Sequence, residues 1–358
     1  EAVAHLWLAG LFLYGLATAI TGRPEAGLLA AISWGLGGYL TGYPVLQLPV
    51  LESITWLPLA LLLIHQAGGA RRPLPWLAGA GLALAMVGLA GHPQTLMHAA
   101  YLALAYYLFQ AWRARWSWGW MLLGGALLAL VALGVSAASW LPAMDYMPLT
   151  ERAGVGYAFV RSGLPLVDYI QVLVPNVLSR FAPQYAGMAA ALLAAVAILH
   201  RRRMPATLAA ETGFWLGALI VSALLALGDD GLLFAVGYRV LPGLAFFRQQ
   251  ERWLCLWSVS GAVLAAAGCT TWLEESPDAL RPTLRLALIA AATLVAVAGL
   301  MLAVIQRGSI GHWLPIWGWA WLLLALCGAL LSAPIRRHLQ LGYPQALVLL
   351  ILLLLADL

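Results

Sequence analysis

The sequence predicts an all-α, polytopic membrane protein, and three observations carry that expectation. The 358 residues are 63% hydrophobic and only 9% charged, whereas a soluble domain carries about 25% charged residues. Apolar runs long enough to cross a hydrocarbon core of about 30 Å recur along the whole chain. The 17 Trp and 12 Tyr fit aromatic belts at two membrane interfaces.

The runs fall at 3–21, 26–42, 53–67, 74–91, 95–112, 118–142, 186–200, 211–228, 253–272, 283–305, 314–333 and 345–357. They predict about 12 transmembrane helices in one domain, 1–358. The runs at 26–42 and 345–357 are the weakest. Glycine and proline punctuate several others. The longest connection, 143–186, holds apolar stretches, prolines and aromatics, which favours an interfacial or re-entrant helix at 164–174 over disorder. The chain opens on Glu1 and closes on Ala-Asp-Leu at 356–358, so an internal piece of a longer protein is expected, with upstream and downstream parts absent. No repeat supports an inverted-repeat transporter.

All 19 basic residues are arginine, as GC-rich bacterial coding would favour. Counting arginines orients the chain. Alternate loops hold Arg23; Arg71 and Arg72; Arg113 and Arg115; Arg201, Arg202 and Arg203; Arg281 and Arg285; Arg336 and Arg337. These twelve predict the cytoplasmic face; the other seven lie opposite. The pI near 9.3 therefore reflects topology signals, not a nucleic-acid partner. Acidic residues concentrate on the outer side, so chemistry is expected there. Cys255, Cys269 and Cys327 sit inside apolar runs with neither metal-ligand nor disulfide spacing and read as small hydrophobes.

Several outer residues have the right chemistry for a site. Arg248 and Arg252 are four apart at the expected outer start of a helix, a spacing that puts both guanidinium groups on one face. With the helix N-terminus they would form a phosphate-sized anion site. In Gly91-His92-Pro93-Gln94, Pro93 suits the first residue of a helix. His92 and Gln94 would then face the outer chamber, and His98 would be a packed helix residue. Asp145 and Glu151 are the leading carboxylates for acid–base or hydroxyl-binding work, with Glu52 a third. Asp229-Asp230-Gly231 reads as a polar turn. A metal site is not expected: His92 and His98 lack the i, i+4 spacing. No cofactor is called for, and a divalent cation is left open.

In order, His5-Leu-Trp-Leu-Ala-Gly with Tyr14, Trp56-Leu-Pro-Leu, Gly91-His-Pro-Gln, 142–152, Pro175, Tyr185-Ala-Gly187, Ala226-Leu-Gly, Leu241-Pro-Gly, Phe247-Arg248-x-x-x-Arg252 and Gly268 resemble the YfhO-like bacterial membrane protein family. Members of that family look like GT-C-type glycosyltransferases. Two departures stand out. Gln250 occupies a position where the family often has proline, and the first helix resembles a later family helix, placing the usual catalytic acid upstream of Glu1. The resemblance implies transfer of a sugar from a polyprenyl-phosphate carrier to a cell-surface acceptor, on the outer side of a bacterial inner membrane. Arg248 and Arg252 would clamp phosphate, and His92 and Gln94 would bind sugar or phosphate. Asp145, Glu151 and Arg152 would line the acceptor side. Membrane lipids and membrane-protein partners are further expected contacts. The alternatives are a non-catalytic subunit of a larger membrane complex and a lipid-linked substrate flippase.

Overall fold

The computed structural model describes residues 1–42, 47–150, 154–179 and 182–358, and among these every regular element is helical. The main helices are α1 (Ala2–Thr21), α2 (Pro24–Gly35), α3 (Leu48–Thr55), α4 (Leu57–Gly69), α5 (Pro73–Leu89), α6 (Pro93–Arg113) and α7 (Trp118–Tyr146). They continue as α8 (Met188–His200), α9 (Ala206–Ala226), α10 (Leu232–Val240), α11 (Leu254–Glu274), α12 (Pro277–Ile305), α13 (Ile310–Leu331) and α14 (Tyr343–Asp357).

Among the described residues, seven helical stretches are long and apolar enough to cross a membrane: Ala2–Thr21, Leu48–Gly69, Trp118–Leu149, Ala206–Ala226, Gln250–Glu274, Pro277–Ile305 and Arg307–Leu331. The chain is thus a multi-pass helical membrane protein. The other five of the twelve expected runs fall short for identifiable reasons. The α2, α5, α8 and α14 helices have 12, 17, 13 and 15 residues, under the roughly 20 that a perpendicular span needs. The α6 helix has 21 residues. Its face carries Gln94, Thr95, His98, Tyr106, Tyr107 and Gln110, all buried, so its polarity is turned into the protein. The expected helix at 164–174 is instead a 3-10 segment, Leu166–Val172.

The described residues form two compact units. The first comprises Glu1–Ile20, Pro44–Leu166 and Gly217–Trp257; the second comprises Thr21–Tyr43, Val167–Leu216 and Ser258–Leu358. In the first, α5 packs closely against α7. A Cβ on Gly81 would lie 2.7 Å from the Leu128 carbonyl, and one on Gly88 would lie 2.9 Å from Ser136 Cβ. Where lipid removes the hydrophobic drive between helices, such small residues let backbones approach and gain dispersion contact. In the second unit Gly268 of α11 rests against the Leu193 backbone of α8, with no room for a Cβ. The three cysteines are buried and in no disulfide, as their apolar settings predict.

Candidate functional site

The candidate site lies in the first unit, where α6 begins. Proline is the first residue of α6, and His92 is its N-cap, as the Gly-His-Pro-Gln string predicts. Gly91, in the left-handed region at φ 81°, turns the chain into that cap. The next turn of α6 buries Gln94, Thr95 and His98.

Arg252 joins these residues. Its Nη1 donates to His92 Nε2 (2.7 Å) and to Gln94 Oε1 (3.1 Å), and its Nη2 donates to Gln47 Oε1 (3.2 Å). Arginine only donates, so His92 Nε2 must offer its lone pair, and a neutral ring then carries its proton on Nδ1. Thr95 Oγ1, 2.7 Å away, accepts that proton. The Thr95 backbone N–H also approaches Nδ1, at 3.2 Å. The two roles compete, so the grip on Arg252 weakens the helix cap. Gln94 is fixed at its other end, donating from Nε2 to the carbonyls of Arg248 (2.9 Å) and Gln249 (3.4 Å). Tyr101 donates to the Pro242 carbonyl at 2.6 Å, tying α6 to the preceding turn. His98 packs its ring 4.2 Å from that of Trp253, the structural role expected of it.

Arg248 and Arg252 do not share a helix face, contrary to their four-residue spacing. Residues 247–249 are not helical, Gln249 is left-handed at φ 64°, and Gln250–Trp253 is a 3-10 turn before α11 begins at Leu254. Gln250 is the reason. It is fully buried, its N–H donates to the Ser162 carbonyl (2.9 Å), and its Nε2 donates to the carbonyls of Val160 (2.9 Å) and Phe247 (2.6 Å). These bonds hold the backbone out of a helix and turn the two arginines to different surroundings. Arg248 is exposed, its guanidinium 5.5 Å from the Phe159 ring centre.

The segment that Gln250 grips is itself clasped. Asp229 accepts from the Tyr157 hydroxyl (2.6 Å) and from Arg161 Nη1 (3.0 Å), and its N–H donates to the Arg161 carbonyl (2.9 Å). The hydrogen bond from the Tyr157 hydroxyl to Asp229, ahead of burial, raises the Tyr157 pKa. The turn predicted at Asp229-Asp230-Gly231 is present as the 3-10 turn Gly228–Asp230.

Beside this centre runs an apolar groove of about 310 Å³. Trp140, Met144 and Met147 form one wall, Leu96 of α6 another, and Phe246 and Phe247 close it. Pro93 and Phe247 also line it, and they are the chain neighbours of Gln94 and Arg248.

The other expected site residues are placed differently. Asp145 is exposed near the end of α7 and does not line the groove. Glu52 is half-buried on α3. Glu151 and Arg152 lie outside the described residues. Among the described residues no group of three or more His, Cys, Asp or Glu is arranged to hold a metal.

Sequence reasoning missed two parts of the polar architecture. Gln47 carries no motif, and only its contact with Arg252 reveals it. In the second unit, Asp357 accepts from the Tyr185 hydroxyl and, at 2.7 Å, from the Met188 N–H. Tyr185 falls in a string noted only for family likeness, and Asp357 only in the closing Ala-Asp-Leu. They line a cavity of about 290 Å³ with Thr41 and Asn176.

Comparison with models of known protein families, with characterised proteins and with solved structures finds no match to this chain.

Proposed function

We propose that this chain is the membrane-embedded part of a GT-C-like glycosyltransferase that binds a polyprenyl-phosphate-linked sugar and passes the sugar to an acceptor at the outer side of a bacterial membrane. One observation carries the reading: a guanidinium held by Gln47, His92 and Gln94, with a second, exposed guanidinium four residues away, beside an apolar groove. Sugar transfer from such a donor returns negative charge to the phosphate. Fixed donors aimed at that charge stabilise the transition state without reorganising. Arg252 is the fixed donor, Arg248 the exposed one, and the groove takes the first isoprenoid units. Asp145 and Glu151 remain the candidates for the acceptor side.

A flippase is favoured by a different observation. Among the described residues the groove wall carries no carboxylate, so the same arginines suit gripping a headgroup without chemistry. Proteoliposomes loaded with a lipid-linked sugar and a candidate acceptor separate the two. The transferase reading expects a new glycosidic bond, lost in Arg252→Gln and reduced in Arg248→Gln with folding intact. Movement of an unconsumed donor across the bilayer would establish the flippase. Transfer unaffected by both substitutions would end the clamp assignment.

A further inference from the structure

The α6 helix bears a second polar site at its far end. Gln94 and Arg113 are 19 residues apart on α6, about 28 Å along a helix axis, close to the thickness of a hydrocarbon core. Around that far end lies a cavity of about 490 Å³, lined by His65, Gln66 and Gly69 of α4, Trp76 of α5, and Gln110 and Arg113 of α6. Its volume is within the about 300–1,000 Å³ of ligand sites.

The lining is rich in donors. The Tyr106 hydroxyl (2.8 Å) and the Gln110 amide nitrogen (3.3 Å) both approach His65 Nδ1. Because the amide nitrogen only donates, Nδ1 accepts, and the neutral ring carries its proton on Nε2. Arg113 supplies a permanent cation, braced 5.4 Å from the Phe109 ring centre. No carboxylate is among the residues that line the cavity. Arg71 and Arg72 follow α4 directly, and Arg115 lies two residues beyond Arg113; all three are exposed. Trp76 and Trp112, also exposed, have the amphipathic character of interfacial side chains.

We propose that this cavity binds the phosphodiester headgroup of an anionic phospholipid on the rim marked by the arginine-rich loops. Basic pockets between transmembrane helices on the cytoplasmic side take anionic headgroups, and each basic residue near the surface adds about 1 kcal/mol. Arg113 pairs with the phosphate oxygens, and His65 and the glutamine amides contact the ester and glycerol oxygens. The exposed tryptophans flank the acyl chains. The site is independent of the outer-face transferase reading, since it uses none of the same residues.

Native mass spectrometry of the whole chain in detergent, with phosphatidylglycerol and phosphatidylcholine at equal concentration, tests this. One phosphatidylglycerol should be retained with a preference of about fivefold or more. Arg113→Gln should bring that preference towards one. Gly69→Phe should do the same by filling the cavity, since a Cβ there meets nothing within 4 Å. Arg202→Gln, at an exposed arginine of the second unit, should leave the preference unchanged. Competition by millimolar inorganic phosphate would support the anion chemistry and assign the site to a free phosphate. Resistance to phosphate would assign it to the lipid. Equal retention of both lipids by the unaltered protein, or a preference that survives both Arg113→Gln and Gly69→Phe, would overturn the proposal.

Discussion

The two units each hold a charged group at a helix start, with opposite signs and opposite surroundings. In the first unit Arg252 is held by neutral side chains, two of them fixed by further bonds: Gln94 by two backbone carbonyls, His92 by Thr95. In the second, Asp357 accepts hydrogen bonds from the Tyr185 hydroxyl and from the backbone N–H of Met188, the first residue of α8. The N-cap of α8 is Gly187, at φ 91° and with no side chain to offer. A Cβ there would strike Leu354 of α14. Asp357 therefore supplies from a distance the oxygen that a local Asp or Ser usually provides, and its charge suits the positive end of the α8 dipole. The carboxylate completes a helix. The guanidinium completes none, and the bonds around it weaken the α6 cap. Ordering several long side chains around one cation costs entropy. A site that must aim a charge repays that cost; a structural cap needs no such investment in neighbours.

This contrast can be broken by substitution. The largest effect is expected at Gln250, whose removal leaves the Val160 and Phe247 carbonyls without that donor and Trp253 Nε1 without its acceptor. Gln250→Leu should cost about 3 kcal/mol or more, at about 1–3 kcal/mol for each buried polar group left unsatisfied. Thermal unfolding in detergent would read it. Gln250→Pro should be no milder, because it also loses the N–H bond to Ser162. If proline is instead tolerated, the family pattern at this position fits this chain better than its own geometry does.

Similar in size is Asp357→Ala, expected to cost about 3 kcal/mol or more through two lost bonds to a charged acceptor at about 1.5–3 kcal/mol each. Asp357→Asn should recover part of this by keeping one oxygen. Equal loss in both would mean that charge, not capping, is what α8 requires. Alkaline pH gives a related check. Burial first, and the Asp357 carboxylate second, raise the Tyr185 pKa well above its ordinary value of 10.0. Above that value the unfolded chain releases the tyrosine proton while the folded chain keeps it, so stability should fall with rising pH. Tyr185→Phe should flatten the slope. Smaller again is Gln94→Leu, expected to cost about 1–2 kcal/mol by freeing Arg252 from one acceptor and the 248–249 carbonyls from their donor. Gln94→Glu should hold Arg252 but lower its affinity for a phosphate.

The membrane character was legible because it rests on composition and run length, both additive along a chain. Helix starts were legible where local chemistry sets them, as at Pro93. The number of spans was not, because α6, at 21 residues long enough to span, turns its polar residues against protein and so lacks the apolar signature of a span, while α8 is helical over only 13 residues. His92, Gln94 and Arg252 were each singled out because each has distinctive chemistry. Their mutual geometry was not legible, because it is decided by Gln250 reaching back about 90 residues to Val160. A four-residue spacing specifies a shared face only if the helix is there, and here the long-range bonds win. Asp357 was missed for a similar reason: its partners lie some 170 residues earlier.

The smallest effect on stability, and the most telling, should come from Arg248→Gln. Arg248 is exposed and, among the described residues, braced by the face of Phe159, a contact worth about 0.5–1 kcal/mol at exposed sites. Unfolding should therefore shift by less than about 1 kcal/mol. Binding of a short-chain isoprenyl phosphate should weaken about tenfold, the loss of one charge-assisted contact of about 1.4 kcal/mol. Arg252→Gln should reverse the weighting, costing stability because Gln47, His92 and Gln94 all lose the donor they converge on, and binding as well. Titration of the isoprenyl phosphate against each variant, beside its melting curve, yields two numbers per protein. A matched loss of stability and binding at Arg248 would make that residue structural, leaving Arg252 alone as the anion contact. Loss of binding with stability retained would separate the arginine that is held from the arginine that is exposed, which is the division of labour their different surroundings imply.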